Sequence, residues 1–310
     1  MAALDTFFTA LFTIVVPILL LAAVAFGLGK AGIVTDQRPL ARLSLYFFSP
    51  ALAFQSLAKS TVNASDFFSI ILFVILMTVL LGVPSFLLAR LFKFDRTLTS
   101  AFLLSILFVN AGNYGIPFNQ FAFGSDGVAR AAIYFTTNSM LANTVAVYIA
   151  SAGHTDLRAS LRAVVKMPVA YAALLGLTFN MLHWSLPEPL TRALDLAATA
   201  ALPVMLANLG LELARARVRD YDWRVFIAAG IKLLVAPLIA LALAALMNME
   251  GLTRSVSVIE ASMPTAVMAS LIATEFQARS DFVTNVVFIS TLGSTITLTL
   301  LLLFLGYAPT

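Results

Sequence analysis

The sequence predicts an all-α integral membrane protein of ten transmembrane helices, arranged as two inverted five-helix repeats with helices four and nine interrupted. Three observations predict it. The 310 residues are 61% hydrophobic and only 11% charged, with mean hydropathy +0.97, whereas soluble domains run at about 45–50% apolar and about 25% charged. Lysine and arginine are concentrated in alternate connections. Prolines recur inside the apolar runs at matched positions in the two halves of the chain.

Runs of about 20 apolar residues mark spanning helices. Ten are read, at 6–28, 38–58, 67–89, 98–123, 127–150, 163–183, 190–211, 223–247, 253–276 and 282–305. Asp5 is the only charge in the first 29 residues, so the basic leader of a cleaved signal peptide is missing and the first run is expected to be retained. The chain has no cysteine, which excludes disulfides, thiolate metal ligands and cysteine nucleophiles. Asp66, Asp126, Asp222 and Asp281 stand just before spans, where a carboxylate is expected to cap free N–H groups.

The charges orient the spans. Connections 1–2 (Lys30, Arg38, Arg42), 3–4 (Arg90, Lys93, Arg96), 5–6 (Arg158, Arg162, Lys166), 7–8 (Arg215, Arg217, Arg219, Arg224) and 9–10 (Arg279) hold 14 of the 19 basic residues. The alternate connections hold four: Lys59, Arg130, Arg192 and Arg254. The remaining one, Lys232, lies inside span eight. This bias places the rich set in the cytoplasm and both termini outside. The net charge of +4 is no nucleic-acid signal; its meaning lies in that distribution.

Pro17, Pro50, Pro84 and Pro117 in the first half are matched by Pro168, Pro203, Pro237 and Pro264 in the second. Spans 1–4 therefore correspond to spans 6–9, giving a first repeat over 1–151 and a second over 160–306. With five spans each, the second repeat enters the bilayer in the opposite orientation, as in many secondary transporters, whose sites lie between corresponding interrupted helices.

Span four contains "NAGNYGIPF" (Asn110–Phe118). Pro117 removes a backbone donor, Gly112 and Gly115 lower the cost of leaving helical geometry, and Asn110 and Asn113 supply amides where hydrocarbon supplies none. Span nine contains "EASMPTAV" (Glu260–Val267), in which Ser262 precedes Pro264 and Thr265 is placed to cap a second half-helix. Interruptions are expected near Asn113–Pro117 and Ser262–Thr265. Two half-helix N-termini meeting at depth present free N–H groups and positive dipole ends, which suits a carboxylate. These eight residues, Asn110, Gly112, Asn113, Gly115, Pro117, Ser262, Pro264 and Thr265, form the expected substrate site.

Other polar groups at depth carry weaker readings. Glu260 and Lys232 are candidates for coupling, because charge at such depth is costly; the plainer alternatives are a helix-joining hydrogen bond for Glu260 and snorkelling for Lys232. Ser49, Pro50, Gln55 and Asn208 are candidates for the opposite wall of a cavity. Asn138, Asn143, Asn180 and Asn208 also suit simple helix joining.

On these two motifs, and on ten spans in two halves, the chain resembles the auxin efflux carrier family in its short bacterial form. The resemblance implies a bile-acid-symporter-like fold in which helices four and nine cross at their prolines. It implies a scaffold of spans 1, 2, 6 and 7 beside a transport domain of spans 3–5 and 8–10, and a homodimer through the scaffold. Plant members export the carboxylate auxin, and bacterial relatives include proposed carriers of malonate and malate. Two features depart from the family: spans five and six are joined by only about a dozen residues, and Met268 stands where relatives often carry a polar residue.

The function expected is a secondary active transporter of small organic anions, working by alternating access of an elevator or rocking type in the cytoplasmic membrane, with protons or sodium as candidate coupling ions. A membrane receptor or sensor and an uncoupled anion channel remain as alternatives. No Walker motif appears, so ATP is not the direct energy source. An intramembrane protease would need paired aspartates, or serine with histidine, at depth; the aspartates lie at span ends, and His154 and His183 near interfaces. No enzyme activity, cofactor or metal site is expected.

Overall fold

The computed structural model describes residues 2–151, 165–216 and 222–307; His154, Arg158, Arg162, Arg217 and Arg219 lie outside the described residues. Among those described, helix dominates and the only strand-like feature is an isolated bridge between Val109 and Thr265. The helical stretches, in order, are α1 (2–30), α2 (38–58), α3 (Ala64–Leu91), α4a (Arg96–Leu107), α4b (111–123), α5 (125–150), α6 (Pro168–Met181), α7 (Glu188–Arg215), α8 (Trp223–Leu246), α9a (Gly251–Ala261), α9b (Val267–Glu275) and α10 (Ser280–Phe304). Five helices are long and apolar enough to cross a membrane: Leu4–Lys30 within α1, and α3, α7, α8 and α10. Their outward faces carry large apolar side chains such as Leu20, Phe68, Leu91 and Leu246, all more than 60% exposed, so a multi-pass membrane setting accounts for apolar surface that water would not tolerate.

The interruption of the ninth stretch falls where it was expected, and that of the fourth comes a few residues earlier. In the fourth stretch the chain leaves the helix at Phe108–Asn110, ahead of the glycines and Pro117. Residues Ala111–Gly115 then form a π turn, and Pro117 sits in the first turn of the helix that follows, where no N–H is required of it. The cluster therefore starts the second half-helix instead of breaking the first. In the ninth stretch the break covers 262–266 and includes Pro264.

The matched prolines are accommodated in different ways. Pro17, Pro50, Pro117 and Pro237 each follow a π turn, over 11–15, 44–48, 111–115 and 231–235. A wide turn ahead of a proline relieves the clash of its ring with the preceding carbonyl. Pro84 and Pro203 lie inside α3 and α7, and Pro168 opens α6.

Capping also differs. Of the four aspartates, Asp222 caps its helix through the Arg224 N–H. Asn63 caps α3, while Asp66 accepts from Thr253 Oγ1 at 2.8 Å and lies 3.6 Å from Arg130. Asp126 accepts from the Thr61 N–H, and Asp281 faces Arg279 without capping. Asp66 and Asp126 are drawn away because Arg130, 6% exposed, needs anionic partners. This cluster ties α3, α5 and α9a together. Asp95, which was not anticipated, caps α4a. The Leu98 N–H bond, then Thr97, hold its carboxyl below the usual range. The cap's contribution is therefore present above the ordinary carboxylate pKa and is lost as pH falls through the lowered one.

Helices α1 and α7 pack face to face at Gly210, where a Cβ would collide with the Ala22 carbonyl. Gly27 has open space around it. Gly210→Val is expected to lower unfolding stability by about 1–3 kcal/mol through overpacking, whereas Gly27→Ala is expected to leave it unchanged or raise it. Thermal unfolding of the detergent-solubilised protein reads both.

Candidate functional site

The two breaks satisfy each other's backbone. The Asn110 N–H donates to the Pro264 carbonyl at 2.8 Å, and the Ala266 N–H donates to the Phe108 carbonyl at 2.9 Å. Asn138 Nδ2 donates to the Val109 carbonyl at 3.2 Å from α5. Thr265 closes the other side, its Oγ1 donating to the Ser105 carbonyl at 2.6 Å and its N–H to Ser290 Oγ at 3.1 Å. Buried backbone groups without partners cost free energy comparable to a lost hydrogen bond, so the bridge is what permits two breaks in this core.

Each break leaves a pair of helix ends. The C-terminal carbonyls of α4a and α9a converge on Lys232, which is fully buried and donates from Nζ to the Ile106 and Ala261 carbonyls at 3.3 Å each. An ammonium at two helix C-termini complements both dipoles. The N-termini of α4b and α9b face a cavity of about 420 Å³, lined there by Asn110, Gly112, Asn113, Val267 and Met268. α2 contributes Ser44, Leu45 and Ser49, α5 contributes Asn138 and Asn143, and α7 contributes Met205, Asn208, Glu212 and Arg215. Irregular backbone at this depth is tolerated where it lines such a cavity.

Among the described residues, four side-chain groups in the cavity lack full partnership, one of them the buried Oε1 of Gln37. Asn110 is 6% exposed with Nδ2 unpartnered, and Asn208 is 2% exposed with Oδ1 unpartnered. Glu212 Oε2 accepts from Asn113 Nδ2 across 3.4 Å, a long contact that joins α7 to the start of α4b. Among the described residues no lysine or arginine forms an ion pair with Glu212. Arg215 instead donates to the Thr35 carbonyl and lies 4.0 Å from Asp36.

The residues named from sequence therefore divide. Asn110, Gly112, Asn113, Ser49 and Asn208 line the cavity. Gly115, Pro117, Ser262, Pro264 and Thr265 do not; they build the break behind it. The Ser262 hydroxyl bonds back to the Val258 carbonyl, and the second half-helix has no side-chain cap, because Thr265 is turned towards α4a. Pro50 is half-buried outside the cavity lining. Gln55 lies six residues beyond Ser49, about 9 Å along the helix, and is held by Asp195.

Glu260 and Lys232 do not pair in this conformation. Lys232 is engaged by carbonyls, while Glu260 Oε1 accepts from Asn119 Nδ2 at 2.8 Å and its Oε2 is buried without a partner. The Glu260 carboxyl fills the space against Gly115, where a Cβ would collide with it. Asn119 and Glu212 are the participants that sequence reasoning passes over. Asn119 lies within the polar cluster of span four, four residues after Gly115. Glu212 lies one residue past the seventh apolar run and beside a run of arginines, so it reads as part of a connection; its spacing of four from Asn208 is the signal that would have found it.

The sequence profile of a family described as "membrane transport protein" matches residues 10–159 and again 154–302. An uncharacterised transporter of Methanothermobacter thermautotrophicus is 29% identical over 267 residues, covering 86% of this chain and 88% of that protein. An uncharacterised transporter of Methanocaldococcus jannaschii is 24% identical over 297 residues, covering 93% of this chain and 96% of that protein.

Replacing Lys232 with Met strands two buried carbonyls at helix C-termini. Since hydrogen bonds to charged groups contribute about 1.5–3 kcal/mol, Lys232→Met is expected to lower unfolding stability by about that amount. Calorimetry on the detergent-solubilised variant checks it.

Proposed function

The chain belongs to the membrane transport protein family, that of the auxin efflux carriers, and on that premise we propose that it is a secondary carrier of small carboxylate-bearing solutes. The observation that carries the reading is the unpartnered amide of Asn110 in a cavity faced by two half-helix N-termini. Backbone N–H groups at helix starts have no intrahelical acceptor. Among the described residues, those of Ala111, Gly112, Val267 and Met268 donate to no backbone carbonyl, and a carboxylate satisfies such groups and the positive dipole ends together.

The proposed architecture is that of two inverted five-span repeats, 1–151 and 160–306, in the cytoplasmic membrane, with the termini outside. The broken helices cross near the bilayer centre within a transport domain of spans 3–5 and 8–10, which moves in elevator fashion against a scaffold of spans 1, 2, 6 and 7. Arg38, Arg42 and Arg215 line the cavity and belong to connections that the charge bias assigns to the cytoplasm. The conformation is accordingly read as open to the cytoplasm. Attraction of carboxylates by this basic mouth precedes their capture at the breaks.

Counterflow in liposomes tests the reading. A carrier accelerates exchange of labelled substrate against unlabelled substrate on the far side, and a channel or receptor does not. Asn110→Ala is expected to weaken apparent substrate affinity about tenfold or more, since a lost hydrogen bond to a charged group costs about 1.5–3 kcal/mol. Unchanged affinity in a folded Asn110→Ala protein contradicts the assignment of this amide.

A further inference from the structure

One part of the cavity lining presents acceptors, on α7. Asn208 and Glu212 stand four residues apart on α7 and so share one face of that helix. Both line the cavity: Asn208 Oδ1 is buried without a donor, and Glu212 has no basic partner within ion-pair distance among the described residues. Opposite them lie the donors, Asn110 Nδ2 and the N-termini of α4b and α9b. The 3.4 Å contact between Asn113 Nδ2 and Glu212 Oε2 shows that the two subsites adjoin.

A simple monocarboxylate or dicarboxylate fits this arrangement poorly. Its oxygens would come to rest beside further acceptors, Asn208 Oδ1 and the Glu212 carboxyl, to which it brings no donor. The basic groups around the cavity do not resolve this, since Arg38 and Arg42 are exposed and Arg215 is held by Thr35 and Asp36. A solute that brings its own cation, placed within one or two bonds of its carboxylate, satisfies both halves together.

We propose that the carried solute is an α-amino acid zwitterion, bound with its carboxylate on Asn110 and the two half-helix N-termini and its ammonium between Asn208 Oδ1 and Glu212. The rest of the lining includes Phe108, Phe135, Met205 and Ile272, which selects an apolar side chain. The volume of about 420 Å³ is ample for such a solute. The inference rests on the carrier reading above and narrows it: that reading assigns the carboxylate end, and this one assigns the group beside it. Glu212 is thereby a specificity-determining residue, separating amino acids from the same acids lacking the amine.

The test uses the full-length protein in liposomes. Counterflow is measured with each of the twenty common amino acids, with their deaminated counterparts (4-methylpentanoate for leucine, propionate for alanine), and with malonate and malate. At least one apolar amino acid is expected to exchange, with its deaminated counterpart about tenfold or more weaker, the cost of a lost charge-assisted hydrogen bond. Glu212→Gln is expected to erase that preference, and Glu212→Asp to restore part of it. Because the wild-type comparison needs no variant, a poorly folding Glu212→Gln protein leaves the proposal testable. Exchange of malonate, malate or deaminated acids without amino acids overturns this proposal and leaves the carrier reading standing. A preference unchanged in folded Glu212→Gln overturns the role of Glu212. Exchange of none of these solutes overturns the carrier reading and this proposal with it.

Discussion

A helix that stops inside an apolar core strands backbone donors and acceptors that hydrocarbon cannot satisfy. The rest of this structure depends on how that constraint is met. Two helices stop, and the exposed backbone of each becomes the partner of the other through the Asn110–Pro264 and Phe108–Ala266 hydrogen bonds. Neither break is affordable alone. Asn138 of α5 and Ser290 of α10 then hold the bridge from two further helices, and Ser105 holds it from α4a itself.

The polarity of the site follows from the same arrangement. Breaking two helices at one place gathers two C-termini and two N-termini. Lys232 takes the first pair, which removes their negative ends from the cavity. The N-termini are left facing open space, where Asn110 and Asn113 extend their donor surface. Helix α7, carrying Asn208 and Glu212, supplies acceptors from outside the broken helices. Donor and acceptor halves thus come from different elements, joined by the long Asn113–Glu212 contact and by apolar packing of Ile116 with Ala198, Ala201 and Met205.

Much of the fold was legible because membranes simplify the code. Apolar runs located the helices, and prolines with polar neighbours, Asn110 and Asn113 in one and Glu260, Ser262 and Thr265 in the other, marked the two that break. The position of the first break was not legible, because a proline can open a helix as well as interrupt one, and here Pro117 opens one. Partner choice was also hidden. Thr265 was expected at a helix N-terminus and instead serves the Ser105 carbonyl; Asp66 was expected to cap and instead meets Arg130 and Thr253. Such outcomes depend on which helices lie alongside, and spacing within one span does not encode that. Asn110, Asn113, Ser49 and Asn208, which line the cavity, stood out in the sequence because polarity at depth is rare, and Gly112 because it lies among them. Glu212 was missed because it lies where the apolar run gives way to basic residues, and composition there reads as connection.

The central claim is that the paired breaks form one ordered unit whose helix starts are left open to the cavity. Hydrogen exchange followed by mass spectrometry, with fragmentation to residue level, tests this most directly. The account predicts that the amides of Asn110 and Ala266 exchange slowly although both lie outside regular helix, while those of Ala111, Gly112, Val267 and Met268 exchange faster. Fast exchange at Asn110 and Ala266, equal to that of their neighbours, would contradict it.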